Sequence, residues 1–297
     1  MRLRNHRNHR RRPSRLHMNS ESAGRLLVCA TPIGNLGDTT LRVLEAFRVA
    51  DTIAAEDTRV TRKLLARYDV TTPLERCDEH TIERQAPLLI ERMLGGQVIA
   101  FVSDAGTPGV SDPGARLIAA AVDAGVQVEA LPGASALLAA LVVSGLPMRR
   151  FYFGGFLPRK AGERRRELEA LASLDATLVF YESPHRTAAS LAALAEAYPG
   201  RSAVLARELT KLHEEVVRGP VEEVAEQIAA RESLKGEVVL LVGPPVVSAT
   251  PEPVDVDHVQ AKVDALVADG SSRSAAVKVV AKELGMSRSQ AYDIAHG

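Results

Sequence analysis

The sequence VIAFVSDAGTPGVSDPG, from Val98 to Gly114, joins an apolar run to an unusually long loop. Val98–Val102 has the continuous apolar character of a strand that is buried on both faces of a sheet. A reverse turn needs only about four residues, whereas Ser103–Gly114 is longer and contains three glycines, two prolines and two aspartates. Open α/β sheets bind ligands just beyond the carboxyl ends of their strands. We therefore expect an α/β fold in which the first half of this loop contacts a ligand, while Ser111–Gly114 begins the next helix.

The first half of the chain repeats this arrangement of strand and helix. Strand-like runs occur at RLLVCAT (25–31), DTIAAED (51–57), VIAFVSD (98–104) and VQVEALPG (126–133). Helical spacing of apolar residues occurs at TTLRVLEAFRVA (39–50), IERQAPLLIERML (82–94) and ARLIAAAVDAG (115–125). Alternation of this kind predicts an α/β domain with a largely parallel sheet, over residues 24–148.

A second α/β set follows the break at SGLPMRR (144–150), which places a domain boundary near residue 148. Its predicted strands are FYFGGF (151–156), ATLVFYES (176–183), SAVLARE (202–208) and EVVLLVG (237–243). Its predicted helices are ERRRELEALASL (163–174), HRTAASLAALAEAY (185–198) and VEEVAEQIAARE (221–232). Ser111-Asp112 before Pro113, and Ser183 before Pro184, indicate helix starts. The second domain is predicted to span residues 149–244.

The end of the chain forms a separate predicted piece. Prolines 244, 245, 251 and 253 mark an extended linker over residues 245–255. In residues 256–297 the spacing predicts a helix, a turn centred on Gly285 and a second helix capped by Ser287, similar to a helix-turn-helix. Four basic side chains of this piece can face phosphates: Arg273, Lys278, Lys282 and Arg288. A small helical bundle that packs on protein is the equal alternative.

Composition restricts the class of protein. The chain is 46% hydrophobic and 25% charged, as in globular proteins, and no apolar run reaches the about 20 residues of a transmembrane helix. Two cysteines, Cys29 and Cys77, give no disulfide framework, which predicts a cytoplasmic protein. Residues 1–23 are predicted to form a disordered basic arm. The alternative is that translation starts at Met18. Seven of the 37 basic residues and no acidic residue lie within residues 2–17, so the rest of the chain has 30 basic against 37 acidic residues.

Two further loops resemble the one that follows Val102. VCATPIGNLGD (28–38) and LPGASALLAAL (131–141) also place glycine, proline and polar residues after a strand. The first matches neither the dinucleotide-binding nor the P-loop pattern of glycines. Three such loops in one domain predict a concave site of backbone groups, small side chains and Asp104, suited to a ligand with apolar and polar parts.

Polar clusters follow other strands, at Glu56–Arg59, Tyr181–Arg186 and Arg207–Lys211. Ion pairs at a surface are the ordinary explanation of such clusters. Three such clusters, each directly after a buried strand, instead favour a functional site at the sheet edges where these strands end. The chain shows no spacing of metal ligands and no Ser-His-Asp arrangement, so we expect no metal.

Eight motifs in order resemble one known family. They are TPIGNLGD, AAEDTR, SDAGTPGVSDPG, LPGASA, GFLPRK, FYESPHR, ARELTK and KGEVVLLV, and they run from about Leu26 to Val242. The chain resembles the small-subunit ribosomal RNA methyltransferases that act on the 2′-oxygen of a decoding-centre cytidine, a branch of the tetrapyrrole methylase superfamily. Ser103-Asp104-Ala105 stands where tetrapyrrole-modifying members commonly have Gly-Asp-Pro, which favours the ribosomal RNA branch.

The resemblance implies S-adenosylmethionine (SAM) as methyl donor, bound in a cleft between two α/β domains, in a homodimer that acts on 16S ribosomal RNA of the small subunit. It implies no membrane partner. The residues that the resemblance places at SAM are Pro32, Ser103, Asp104, Ala105, Gly106, Ser135, Ala136, Tyr181, Glu182, Leu209, Gly236 and Glu237.

A ribose hydroxyl is a weak acid, so its methylation needs a base or a cation. The candidate bases are Glu56, Asp57, Glu182 and Glu208, and the candidate cations are Arg59, Arg207 and Lys211; we favour Glu182 and Lys211. A methyltransferase for a tetrapyrrole or another small molecule is the first alternative. A non-catalytic RNA-binding protein is the second alternative. That alternative predicts a basic protein, whereas the chain outside residues 2–17 has more acidic than basic residues.

Overall fold

The structure is a computed structural model that describes residues 24–245, 256–284, 286 and 288–296. The described residues divide into two compact units on either side of the boundary after Pro245. The predicted basic arm 1–23, the linker beyond Pro245, and the predicted turn and cap residues Gly285 and Ser287 lie outside the described residues.

The first unit begins with a sheet of five parallel strands. In chain order the strands are β1 (Arg25–Cys29), β2 (Thr52–Ala55), β3 (Leu74–Arg76), β4 (Val98–Val102) and β5 (Gln127–Leu131). Their spatial order is β3-β2-β4-β1-β5. The parallel sheet predicted for this part of the chain is therefore confirmed.

Helices cover both faces of the first sheet. They are α1 (Leu41–Val49), α2 (Thr58–Arg67), α3 (Ile82–Leu94) and α4 (Gly114–Asp123). The next helix, α5 (Ala136–Ser144), instead packs on the second sheet, which is described below. Along β1, Leu27 packs into one core with Phe47 of α1, while Leu26 packs into the other core with Leu117 of α4. Successive side chains of a strand point to opposite faces, so the continuous apolar run of β1 follows from burial on both sides.

The second sheet of the same unit is mixed, which differs from the first. Its strands are β6 (Phe151–Phe156), β7 (Thr177–Glu182), β8 (Ser202–Arg207), β9 (Glu215–Pro220) and β10 (Val238–Val242), in the order β6-β7-β10-β8-β9. Only β6 and β7 run parallel, and every other neighbouring pair is antiparallel. The helices are α6 (Ala161–Leu171), α7 (Thr187–Ala197) and α8 (Val221–Ala229). The two sheets lie within one compact unit, and the boundary near residue 148 stays a prediction.

One of the two predicted helix starts needs correction. The Asp112 carboxylate accepts hydrogen bonds from the backbone N–H of Gly114 at 2.7 Å and of Gly109 at 2.9 Å, and α4 begins at Gly114 as expected. Helix α7 begins at Thr187, one turn after Ser183-Pro184, because Pro184 lies in a turn whose Ser183 carbonyl accepts from the Thr187 hydroxyl at 2.8 Å.

The second unit is a bundle of three helices within its described residues. They are α9 (Val256–Ala268), α10 (Arg273–Glu283) and α11 (Arg288–His296), around a small core that includes Val263 and Val277. Ser272 caps α10 through the N–H of Ala275. Arg273 contacts Asp264 and the carbonyl of Ala295, so its charge is partly used within the bundle. Among the described residues, no helix is both long and apolar enough to cross a membrane.

Candidate functional site

The three glycine-containing loops of the first sheet are joined by hydrogen bonds. Thr31 and Gly106 exchange backbone hydrogen bonds of 2.9 and 3.0 Å, and the Thr31 hydroxyl donates to the Ser103 carbonyl at 3.2 Å. The Thr107 hydroxyl donates to the Ala134 carbonyl at 3.3 Å. Because parallel strands end at the same edge, the loops after β1, β4 and β5 meet there and form one wall.

The loop after β4 explains the length of the stretch from Val98 to Gly114. Gly106 adopts a φ of 81°, a conformation that favours glycine and brings its backbone beside Thr31. At Gly114 a side chain would begin 2.4 Å from the ring of Phe101, so the start of α4 packs directly on β4. The first half of the loop thus forms the wall, and the second half positions a helix.

A cavity of about 420 Å³ lies between this wall and the second sheet. We call it the larger cavity. Its apolar side comes mainly from Ile33, Phe156, Tyr181, Leu209 and Val239. Tyr181 packs edge-on against Phe153 and Phe156, with ring centroids 4.8 and 5.8 Å away. Such a volume and a mostly apolar lining with a few polar groups are typical of a small-molecule site.

The larger cavity brings together most of the residues that the resemblance places at SAM. Eleven of the twelve line it: Ser103, Asp104, Ala105, Gly106, Ser135, Ala136, Tyr181, Glu182, Leu209, Gly236 and Glu237. The twelfth, Pro32, instead lines a neighbouring cavity of about 240 Å³, which we call the smaller cavity. The two cavities share Ile33, Ser103–Ala105 and Glu237.

Two carboxylates of the first sheet face the larger cavity. The Asp104 carboxylate accepts from the Asp57 N–H at 2.9 Å, and the Asp104 N–H donates to the Glu56 carboxylate at 3.3 Å. Burial, which outweighs these hydrogen bonds, raises the pKa of both Glu56 and Asp104 above their usual ranges. Both carboxylates are therefore better proton acceptors than an ordinary aspartate or glutamate at the surface.

Asp57 has a different environment, although it is the next residue after Glu56. Its carboxylate caps α2 and pairs with Arg59 at 2.6 Å. The hydrogen bonds from Arg59 hold the pKa of Asp57 well below its usual range. Asp57 lines neither cavity. The structure thus brings Asp57 near Asp104 through its backbone, while its carboxylate is held by Arg59.

Glu182 forms part of the cavity wall, but its carboxylate is buried beneath it. The side chain is 0% exposed. Its oxygens accept from the N–H of Ser183 at 2.7 Å and from the hydroxyl of Ser190 at 2.5 Å, and they lie 3.3 Å from Arg186. A carboxylate so fully bonded inside the protein has little capacity left to accept a proton from a ligand.

Lys211 lies where the two halves of the first unit approach each other. Its ammonium group contacts the carboxylates of Glu208 at 2.8 Å and Glu237 at 3.1 Å. Burial opposes the charge of Lys211, but these hydrogen bonds together outweigh it and raise its pKa. The Lys211 side chain crosses the first loop at Gly34, where a Cβ would lie 2.4 Å from its Cγ.

The loop that carries Lys211 has a strained backbone. Glu208 and Thr210 adopt positive φ values of 52° and 68°, which cost of order 1–3 kcal/mol each for residues other than glycine. The Glu208 carboxylate also accepts from the N–H of Glu237 at 2.9 Å and holds the loop in place. Glu208 lines neither cavity, and it positions Lys211. Arg207 pairs with Glu215 at 3.0 Å and contacts the Lys235 carbonyl.

Several lining residues were not anticipated from the sequence. Phe156, Ala206 and Val239 line the larger cavity, and Val60 and Leu64 of α2 line the smaller one. Alternation along the strands was the available signal for Ala206 and Val239, since their neighbours Leu205 and Leu240 point into the opposite core. Across the described residues, no group of three or more acidic, histidine or cysteine side chains is arranged to hold a metal ion.

Comparison with known proteins gives consistent results. Residues 25–225 match the family model described as Tetrapyrrole (Corrin/Porphyrin) Methylases. The chain is 48% identical over 255 residues to the Ribosomal RNA small subunit methyltransferase I of Mesorhizobium japonicum, with 86% of each chain covered. It is 39% identical over 280 residues to the protein of the same name from Bacillus subtilis, covering 92% of this chain and 94% of that one.

Solved structures show the same fold at lower identity. The methyltransferase CobJ aligns with a TM-score of 0.57 and 23% identity, over 74% of this chain and 94% of its own. Uroporphyrin-III C-methyltransferase from Thermus thermophilus, in complex with S-adenyl homocysteine, aligns with a TM-score of 0.53 and 21% identity. That alignment covers 73% of this chain and 97% of the other.

Proposed function

We propose, because this chain belongs to the ribosomal RNA small subunit methyltransferase I family of tetrapyrrole methylases, that it methylates the ribose 2′-oxygen of a decoding-centre cytidine in 16S ribosomal RNA. Family membership makes the chain a SAM-dependent methyltransferase of small-subunit ribosomal RNA. The cytidine, its 2′-oxygen and the residues that act on them are our proposal. The observation that supports this proposal most strongly is that eleven of the twelve residues assigned to SAM line the larger cavity together.

The lining of the larger cavity suits SAM, which supplies a methyl group activated by a sulfonium centre. Ile33, Leu209 and Val239 offer apolar surface for a flat adenine ring. Glu56 and Asp104 offer carboxylates, which can accept hydrogen bonds from hydroxyl groups and from an ammonium group. A site of this mixed character matches a ligand that is part aromatic, part sugar and part amino acid.

The chemistry assigns different roles to a cation and a carboxylate. Methyl transfer is an in-line displacement, so the acceptor oxygen must be held close to the methyl group. We assign Lys211 to stabilise the negative charge that develops on the 2′-oxygen, because its raised pKa keeps it protonated at neutral pH. We assign Asp104 to receive the hydroxyl proton, because burial raises its pKa and it lines both cavities.

This assignment revises the roles that the sequence suggested for three carboxylates. Glu182 is a structural residue in the revised proposal, because its carboxylate is bonded to Ser183, Ser190 and Arg186. Glu208 positions Lys211, and Asp57 positions Asp104 through its backbone N–H. Of the two residues favoured from the sequence, only Lys211 keeps a catalytic role.

The proposed substrate is 16S ribosomal RNA within the small subunit, bound by a homodimer in the cytoplasm. The first unit carries exposed basic residues near β6 and α6, including Arg149, Arg159 and Arg166. Neighbouring Arg150 and Lys160 pair with exposed acids at 3.1 and 3.0 Å. Exposed pairs contribute little stability, so phosphates can displace the acids. Local contacts of this kind allow an acidic protein to bind RNA.

The decisive experiment incubates the purified protein with labelled SAM and small subunits from a strain that lacks the modification. We expect label in 16S ribosomal RNA and 2′-O-methylcytidine in its nuclease digest, identified by mass spectrometry. Label in a porphyrinogen but not in RNA would support the small-molecule alternative. Intact SAM binding without transfer to either acceptor would contradict both enzymatic proposals.

A further inference from the structure

The smaller cavity adjoins the proposed SAM site, and neither the family match nor the proposed function gives it a role. It lies between the loop after β1 and helix α2, and it shares Ser103–Ala105 with the larger cavity. A methyl acceptor must approach within about 3 Å of the methyl carbon. An acceptor site must therefore border the donor site, as this cavity does.

We propose that the smaller cavity receives the nucleoside whose ribose is methylated, with Lys211 facing the 2′-oxygen; this inference rests on the proposed function. In the reaction the 2′-oxygen forms a bond to the methyl carbon as the carbon–sulfur bond breaks. The electron pair of that bond goes to sulfur, and the hydroxyl proton goes to the Asp104 carboxylate. Asp104 and Lys211 both line the smaller cavity, as this transfer requires.

The size and lining of the smaller cavity favour a single nucleoside. At about 240 Å³ it is smaller than the larger cavity, and a macrocycle of four pyrrole rings exceeds what it can hold. Val60 and Leu64 of α2 and Leu36 of the first loop offer apolar surface to the faces of a base. Thr61, Lys211 and Glu237 supply polar groups at the same cavity. A base must leave its stack in the RNA to enter such a space.

Residues from both halves of the first unit fix the position of the Lys211 side chain. Gly34 leaves room for the Lys211 side chain to cross the first loop, because any Cβ there would overlap it. Two of the three ammonium protons are directed to Glu208 and Glu237. The third is free of these two partners and available to an oxygen in the cavity. The side chain is 26% exposed, so it is held and still accessible.

The test fills the smaller cavity from two sides without touching the larger one. Val60 and Leu36 are each 41% exposed and line only the smaller cavity, so Val60→Trp and Leu36→Trp add volume at positions where folding does not require a small residue. Val122→Trp, at a residue of α4 that is 59% exposed and lines neither cavity, is the control for an added tryptophan.

For each variant we measure the melting temperature, the Kd for SAM by calorimetry and the rate of methylation of small subunits. We expect both filling variants to keep their melting temperature, to bind SAM within about twofold of the unaltered protein, and to methylate roughly 100-fold more slowly, as misplacement of an acceptor does. Val122→Trp should stay within about threefold in all three measurements.

Two results would overturn the inference. Full methylation by folded Val60→Trp and Leu36→Trp proteins would show that the acceptor does not use this cavity. Equal losses of SAM affinity and methylation would show that the two cavities hold one ligand. Failure of the proposed function is distinguishable from either, because the unaltered protein would then fail to methylate small subunits in the same assay.

Discussion

The first sheet presents loops to the larger cavity, whereas the second sheet presents strand ends and a lysine. All strands of the first sheet run parallel, so loops after β1, β4 and β5 gather at one edge. In the second sheet β10 runs antiparallel to β7 and β8, so the start of β10 lies beside their ends. Val238, the first residue of β10, pairs with both Glu182 and Arg207.

This difference separates two tasks. The first sheet contributes Asp104 and Glu56, whose positions are fixed by hydrogen bonds between neighbouring loops. The second contributes Lys211, a long cation that crosses to the first loop and is held by Glu208 and Glu237. We infer that the first sheet determines the affinity for SAM and also supplies the proton acceptor, Asp104, whereas the second sheet contributes to the rate of transfer and little to the affinity.

Replacing Lys211 is the strongest test of that separation. Lys211→Met keeps much of the side-chain length but removes the charge, and we expect methylation to slow by about 100- to 1,000-fold, as when a donor to a developing oxyanion is lost. The Kd for SAM should change by less than about threefold. Single-turnover methylation and calorimetry measure the two quantities, with Lys63→Met as a control at an exposed lysine of α2 that lines neither cavity. A loss of SAM affinity as large as the loss of rate would remove the distinction.

Replacing Asp104 tests the other half of the comparison. Asp104→Asn preserves the shape of the side chain but removes its charge, and hydrogen bonds to charged groups contribute about 1.5–3 kcal/mol. We therefore expect the Kd for SAM to rise by roughly 10- to 100-fold in calorimetry. Because the proposed proton acceptor is also lost, single-turnover methylation at saturating SAM should slow by about 100-fold. Asp123→Asn, at an exposed residue of α4, is the control. Unchanged SAM affinity would refute the placement of the donor at this loop.

Glu182 distinguishes a structural carboxylate from a catalytic one within the second sheet. Glu182→Gln disturbs buried hydrogen bonds, and we expect the free energy of unfolding to fall by about 1–3 kcal/mol. Methylation per folded molecule should change by less than about threefold. Thermal unfolding and an assay normalised to folded protein check both expectations, and Ser190→Ala should weaken the fold in the same way. A rate loss of about 100-fold or more would restore Glu182 as the base.

The smallest expected effect concerns Glu215, on the edge strand of the second sheet. Hydrogen bonds from Arg231 and Arg207 lower its pKa to about 2, from about 4.5 in the unfolded chain. A lowered pKa in the folded state stabilises the protein above pH 4.5, and this contribution decreases as the pH falls from about 4.5 towards 2. The difference in melting temperature between the unaltered protein and Glu215→Gln should decrease over the same interval. A difference independent of pH would contradict this origin.

Much of the first sheet could be predicted from sequence, because β1 and β4 are continuous apolar runs and the helices between strands have regular apolar spacing. Helix α2 was missed because it contains four basic residues, Arg59, Arg62, Lys63 and Arg67. Strand β9 was missed because Gly219 and Pro220 are typical of a turn. The strands β7, β8 and β10 were predicted, but their antiparallel pairing was not, because the pattern of helices does not specify strand direction.

The candidate site was predictable only where it follows a strand. Asp104 and the loops around it were expected from their position after apolar runs. Gly236 and Glu237 precede a strand, so only resemblance to a family placed them at the site. The chemical states of Glu182 and Lys211 depend on partners distant in sequence, such as Ser190 and Glu237, and local patterns do not reveal these pairings.

The hydrogen bonds between Thr31 and Gly106, and between Thr107 and Ala134, have a consequence for the speed and energy of ligand capture. Ordering a flexible residue costs about 1–2 kcal/mol of conformational entropy. Loops that are already tied together before the ligand arrives lose little further entropy on binding, and preorganisation of this kind improves affinity without additional contacts. The first wall of the site therefore acts as a rigid template, and donor capture requires no folding of these three loops.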